Sequence, residues 1–296
     1  MLATGEKLAT GGDFMITSIA HSAVKVTNME ATLNFYCNQI GFTKAFELAD
    51  DQGQPWIVYL KICKGFFIEL FYDGVKDRDK AYAADVTGYH HWCVSVGDID
   101  RMAQKLFVAG LIPEAKAKQG RDGNRNLWIH DPDGNAVEFV QYSPDSPHMK
   151  SNSAACDFTQ TGFTGIGHVA YVVSDMVKSM DFFSSKLGFK LIYELADEQG
   201  RPWLNYLRVK DGSYIELFYG GTRTVRLQHE SAGFMHLCLE CDDVYATVEF
   251  LRAKGIEIDV EAKQGKDKNY QAWIHDPDGN KIELMSIDPD SLQAKA

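Results

Sequence analysis

Positive charge is what this chain lacks. Against 41 acidic residues stand 30 lysines and arginines, a net charge of −11. An acidic surface repels phosphate backbones and anionic headgroups, so no nucleic acid and no membrane surface is expected as a partner. A small anionic substrate stays admissible, because it needs only a local positive site. Long apolar runs are also missing, and none approaches the roughly 20 residues of a membrane span. The opening stretch, MLATGEKLATGGDFM, has no apolar signal core. Residues 1–15 therefore read as a flexible tail, and a cytoplasmic location is the expectation. In a chain with no export signal, the six cysteines (37, 63, 93, 156, 238 and 241) read as reduced thiols. The remaining composition, 45% apolar and 24% charged, is that of a globular protein. At 296 residues, two domains are the first expectation.

What the chain does have is repetition. WIHDPDGN at residues 128–135 returns at residues 273–280. The 34-residue stretch from Gly41 returns from Gly188 with 19 identities. The polar, proline-containing segment between the copies reads as a linker. The expected organisation is a domain over 16–146, a linker over 147–162, a domain over 163–290 and a tail over 291–296. Each half divides again. TNMEATLNFYCNQIG and GDIDRMAQKLFVAG carry caps and apolar residues at helical spacing, and short β-like runs surround them. The fold class is α+β: four βαβββ units, each helix covering one face of a small sheet.

Each unit places a histidine in its first strand and a glutamate in its last. The pairs are His21 and Glu69, His91 and Glu138, His168 and Glu216, and His236 and Glu283, separated by 48, 47, 48 and 47 positions. Strand alternation puts each glutamate opposite its apolar neighbours. Two units facing each other would then gather two imidazoles and two carboxylates, a donor set that suits a divalent ion such as Zn, Ni, Co, Mn or Fe. A substrate with two neighbouring oxygens would fit the coordination positions left open. The chemistry expected is proton movement beside a carbonyl through a metal-bound enediolate, with Glu69, Glu138, Glu216 and Glu283 as candidate catalytic groups. Pairing stays open. One site could use His21, Glu69, His91 and Glu138 of one half, or could join His21 and Glu69 to His236 and Glu283.

These residues resemble the vicinal oxygen chelate superfamily, which includes glyoxalase I, bleomycin-resistance proteins, methylmalonyl-CoA epimerase and extradiol dioxygenases. The resemblance rests on AHSAVKV, FIELFYDG, GYHHWCVSV and DPDGNAVEF, and on GHVAYVV, YIELFYGG, GFMHLCLEC and DPDGNKIEL. It implies two tandem glyoxalase-like domains in which all eight residues are metal ligands. It also implies a glyoxalase-like lyase or isomerase acting on a small α-oxo or α-hydroxy carbonyl compound, with a homodimer as an admissible assembly. Glyoxalase I isomerises the glutathione hemithioacetal of methylglyoxal. Its glutathione-binding arginine and asparagine positions here hold Lys25 and Asp73 in one half, and Val172 and Gly220 in the other. An extradiol dioxygenase is the alternative, with ligands mapping to His168, His236 and Glu283. Trp273 then stands where that motif has a tyrosine, and AKQGKDKNYQAW has no histidine. A non-catalytic binding or resistance module is the third reading.

Other residues carry open readings. Alternation lets only one of His90 and His91 face inward, and alignment of GYHHWC on GFMHLC selects His91. His130 shares the face of Glu138 if the intervening loop has five residues, and faces the helix if it has four; His275 stands equivalently. Trp128, Trp273, Trp56 and Trp203 either pack or line the cavity. Tyr59 and Tyr206 bond either a substrate oxyanion or backbone. Cys93 and Cys238 read as pocket walls. Lys25 reads as an anion binder or an exposed ion-pairing lysine, and Lys118 and Lys263 as substrate clamps or solvated loop residues.

Overall fold

A computed structural model of the chain describes residues 16–75, 85–154, 160–224 and 231–296. The expected 1–15 tail falls outside them. The four expected units are present. The first has strands β1 (Ile16–Lys25), β2 (Thr43–Ala49), β3 (Pro55–Cys63) and β4 (Phe66–Phe71). The second has β5 (Val86–Val96), β6 (Lys118–Gln119), β7 (Arg125–His130) and β8 (Ala136–Gln141). The third has β9 (Phe163–Val172), β10 (Lys190–Ala196), β11 (Pro202–Lys210) and β12 (Ser213–Phe218), followed by the short β13 (Arg223–Thr224). The fourth has β14 (Gly233–Cys241), β15 (Val260–Gln264), β16 (Tyr270–His275) and β17 (Lys281–Ser286).

Each first strand leads into a capped helix. Asn28 and Asp98 accept the backbone N–H of Ala31 and Arg101, starting α1 (Met29–Leu33) and α2 (Ile99–Val108). Asp175 and Asp243 start the equivalent α4 (Met176–Met180) and α5 (Val244–Ala253) in the same way. The helices of the first and third units widen into π-helical turns over Asn34–Ile40 and Asp181–Lys186. Helical spacing in the sequence does not distinguish this widening from a regular α-helix. It ends where the carbonyl of Tyr36 accepts N–H groups from both Gly41 and Phe42, with Gly41 at φ 103°.

The units do not form sheets within their own halves. Strand β1 pairs antiparallel with β14, joining the first unit to the fourth in an eight-stranded sheet of order β15-β16-β17-β14-β1-β4-β3-β2. Strand β5 pairs antiparallel with β9, joining the second unit to the third in the order β10-β11-β12-β9-β5-β8-β7-β6. Both sheets curl until their ends approach. Arg121, in the β6–β7 turn, donates to the Ala196 carbonyl at the end of β10 (2.7 Å). Lys266, in the β15–β16 turn, reaches the Ala49 carbonyl at the end of β2 (3.3 Å). The helix-bearing faces of both sheets share one continuous core that includes Tyr36, Trp92, Phe139, Tyr171, Phe183 and Leu251. Within each half, the repeated Asp-Pro-Asp-Gly turn docks one unit on the other: Asp133 accepts the backbone N–H and hydroxyl of Thr27, and Asp278 those of Ser174.

Two segments expected as linker and tail are partly structured. The 147–162 segment opens with α3 (Pro147–Ser151), capped by Ser146, and its His148 is fully buried. Residues 155–159 lie outside the described residues. The 291–296 segment carries α6 (Leu292–Lys295), capped by Ser291, with Gln293 buried and the Ala296 carbonyl held by Lys61 (2.7 Å). Both helices follow the last strand of a unit. Their composition is polar because hydrogen bonds rather than apolar burial fix them: Asn124 donates to His148 (3.0 Å), and Asn269 to Gln293 (2.7 Å).

Candidate metal centres

Register explains why the eight residues converge. In the first sheet Ala23 pairs with Glu69 and with His236, and Cys238 pairs with both His21 and Glu283. The four side chains therefore share the inner face around the β1–β14 contact. Nε2 of His21 lies 3.3 Å from Glu69 and 3.0 Å from Glu283. Nε2 of His236 lies 3.4 Å from each glutamate and 3.3 Å from the His21 nitrogen. In the second sheet, Nε2 of His168 lies 2.9 Å from Glu138 and 3.5 Å from Glu216. Nε2 of His91 lies 3.4 and 3.3 Å from the same carboxylates and 2.9 Å from the His168 nitrogen. All eight residues are buried, with at most 6% exposure.

Such spacings test the fit to a metal. Ligand bonds of about 2.1 Å set neighbouring donors about 3.0 Å apart at right angles and about 3.4 Å apart in a tetrahedron. The histidine-to-carboxylate and histidine-to-histidine separations fall near those values; the first set closes as one group of four, whereas in the second His91, His168 and Glu216 form one group and Glu138 groups with His168 and Cys93. Two imidazole nitrogens aimed at one another among carboxylates are also poor company without a cation between them, because at most one of the pair can donate. The chemistry of the set fits a divalent ion. Burial alone would lower the pKa of His91, but Glu138 and Glu216 outweigh it and hold it at about 9. His236 stands at about 9 for the same reasons, with Glu283 and Glu69 beside it. Burial would raise Glu138 and Glu283, yet the flanking histidines bring both down to about 2.

Around each centre the repeat sets the same supports. The edge of Trp128 meets His91 at 4.6 Å between ring centroids, and Trp273 meets His236 at 4.7 Å. Trp128 pairs with Glu138 and Trp273 with Glu283, so both indoles stand on the inner faces. Tyr59 and Tyr206 are buried opposite Glu69 and Glu216. Burial, with the nearby carboxylates, pushes both phenols well above their ordinary pKa. At the rims, Trp56 lies against Phe71 and Trp203 against Phe218, with Lys266 and Arg121 over the respective indoles at 5.3 and 5.4 Å. Cys93 and Cys238 are buried free thiols on the inner faces, and burial pushes their pKa well up. Cys238 and Cys241 stand at CxxC spacing, but three residues along a strand put them on opposite faces, and both remain free thiols.

Several expectations change. His91 belongs to a centre, as the alignment selects, but His90 does not face away. The register shifts between Tyr89 and His91, and this bulge leaves both rings on the inner side: His90 Nδ1 is 2.8 Å from His91 Nδ1 and its ring is 5.3 Å from Phe218. His130 pairs with Ala136, so the loop has five residues and His130 shares the face of Glu138, but it is exposed and joins no cluster. His275 instead pairs with Asp259 (2.8 Å). Lys25 is buried, not an exposed lysine, while Lys118 and Lys263 are exposed. His168 and His236 stand in different sheets, so the extradiol set of His168, His236 and Glu283 is not brought together. Sequence reasoning missed His148 altogether; its signal was the match of YSPDSPH to IDPDSLQ after the last strands of the second and fourth units.

A family model described as the Glyoxalase/Bleomycin resistance protein/Dioxygenase superfamily matches residues 18–139 and again residues 165–284. Glyoxalase I of Saccharomyces cerevisiae is 27% identical over 217 residues, covering 67% of this chain and 64% of the yeast protein. The chain thus spans just under two thirds of that relative's length. The crystal structure of glyoxalase I from Zea mays is 20% identical with a TM-score of 0.65, covering 90% of this chain and 92% of the maize chain. A putative dioxygenase from Bacillus subtilis is 15% identical with a TM-score of 0.71, covering 96% of this chain and 89% of that one. At such identities the two structures bear on the fold alone. No helix among the described residues is long and apolar enough to cross a membrane.

Proposed function

The chain belongs to the Glyoxalase/Bleomycin resistance protein/Dioxygenase superfamily, and from that premise we propose that it is a divalent-metal-dependent lyase or isomerase of the glyoxalase type, acting on a small α-oxo or α-hydroxy carbonyl compound. The observation that carries the reading is that in each sheet two buried imidazole nitrogens each lie within 3.5 Å of the same two buried carboxylates. His21, Glu69, His236 and Glu283 would hold one ion, and His91, Glu138, His168 and Glu216 the other. A divalent ion held there would supply Lewis acidity toward a carbonyl oxygen. The two carboxylates of each set would balance its charge.

The rest falls to the chain. One glutamate of each centre takes a proton from the carbon beside the carbonyl and returns it to the neighbouring position. Trp128 and Trp273 hold the His91 and His236 rings in place, and the curled sheets keep water from the reacting carbon. Two facts favour this reading over ring cleavage: the yeast relative is named glyoxalase I, and His168 is separated from His236.

The test begins with metal content of protein purified without a histidine tag or chelator, with two equivalents per chain expected. Turnover is then assayed on the hemithioacetal of methylglyoxal and glutathione, and on methylglyoxal alone. Glu138→Gln with Glu283→Gln should abolish turnover, and full activity in that double variant would sink the mechanism. No metal after reconstitution would leave a binding module.

A further inference from the structure

The two centres carry the same ligand types, but beside Tyr59 and Tyr206 their walls differ. In the first centre Phe46 stacks on Tyr59 (4.2 Å, 22°); in the second Tyr193 stacks on Tyr206 (4.9 Å, 22°). The ring geometry is shared, and the added feature is a hydroxyl. That hydroxyl is anchored. The Asn124 amide donates to Nδ1 of His148 (3.0 Å), which puts the imidazole proton on Nε2, 3.4 Å from the Tyr193 oxygen. Tyr193 accepts there and keeps its own proton to donate. In the first centre the His148 position is held by Gln293, whose Nε2 is buried with no partner among the described residues.

The same change recurs around the wall. Phe67 becomes Tyr214, and Ile287 becomes Tyr142, whose buried hydroxyl has no partner among the described residues. Met235, packed on the first centre's apolar wall, becomes His90. The backbone accommodates the difference. A Cβ at Gly167 would lie 2.9 Å from the Tyr142 hydroxyl, whereas the equivalent position beside Ile287 is Ala20. Three of these four changes cluster around Tyr206, and Gly167 clears backbone space for one of them; elsewhere the inner faces differ in other ways, Ala45 becoming Ile192 and the buried Lys25 becoming Val172.

We propose that the two centres take different substrates, the first one with an apolar substituent on its carbonyl core and the second one with a hydrogen-bonding substituent, Tyr193 being the side chain that discriminates. This rests on the reading of both clusters as metal centres. Hydrogen bonding selects strongly in a buried pocket because a donor left unpaired there loses its hydration without return.

The experiment uses full-length protein with one centre disabled at a time: Glu138→Gln with Glu216→Gln, or Glu69→Gln with Glu283→Gln. Each is loaded with cobalt(II) and titrated, by the cobalt absorption spectrum, with heptanohydroxamic acid and with 6-hydroxyhexanohydroxamic acid, which differ only in a terminal methyl or hydroxyl. The ratio of the two Kd values should differ between the proteins by at least about fivefold, the worth of one neutral hydrogen bond. Tyr193→Phe should remove the hydroxyl preference of the second centre, and Phe46→Tyr should shift the first toward it. Equal ratios in the two proteins, or a ratio unmoved by Tyr193→Phe, overturn the proposal while leaving the metal centres standing. Failure of both proteins to take up cobalt is a different result: it overturns the metal-centre reading and this proposal with it.

Discussion

The Nε2 atoms of His21 and His236 lie 3.3 Å apart although 215 residues separate them in the chain. Each centre is therefore built from both halves, and substitutions must couple accordingly. Glu69→Gln and Glu283→Gln strike the same centre, so the double variant should keep about one metal per chain, like each single variant. Glu69→Gln with Glu138→Gln strikes both centres and should keep none. Elemental analysis checks this directly, and the opposite pattern would place the sites within halves.

Metal affinity should rise with pH. His91 and His236, held at about 9, carry protons in the metal-free centre at neutral pH. A metal must displace those protons, so its Kd should fall between pH 6.5 and 9 and level off above. The metal-free protein should show the opposite trend in stability. A raised histidine pKa contributes stability that is complete below the unfolded value of about 6.5 and is lost as pH rises through 9. Cobalt titrations and melting curves of metal-free protein across that window read both effects.

Gly167→Ala should destabilise the protein by about 1–3 kcal/mol, the usual range for overpacking a filled core. The new methyl would meet the Tyr142 hydroxyl at 2.9 Å and Val140 at 3.2 Å. Tyr142→Phe should restore most of the loss, because it removes both the close oxygen and a buried hydroxyl without a partner. Chemical denaturation of the two variants and their combination measures the coupling.

His148 should make the protein acid-sensitive. Burial lowers its pKa to about 3, so the fold holds it neutral. Unfolded chain takes up that proton below about pH 6.5, and stability is lost as pH falls from there toward 3. In His148→Gln, the side chain that the first centre already uses at Gln293, the drop in Tm between pH 7 and 4.5 should be smaller than in the unmodified protein.

Much of this site is written locally. Whether His21 or Glu69 faces inward depends on its own strand, where alternation against Ser22, Ile68 and Leu70 decides the face. The helix caps and the Asp-Pro-Asp-Gly turn are likewise settled by a few neighbours. The reading by alternation failed at His90, because a bulge is a two-strand property: it exists only against β9, and nothing in GYHHWC announces it. The helix carrying His148 was hidden for a related reason. Its polar sequence looks like linker until Asn124, Tyr193 and Tyr214 supply its partners.

By itself, the amino-acid order determined four repeated units, their fold class, and eight ligand-type residues at matching positions. Only the tertiary structure decided that β1 meets β14 and β5 meets β9, and so which four residues make each centre. The physical reason is that the four units are too alike locally for any short stretch to prefer one mate over another. Pairing follows from burial of the helix-bearing faces of both sheets in one shared core, a property of the whole chain.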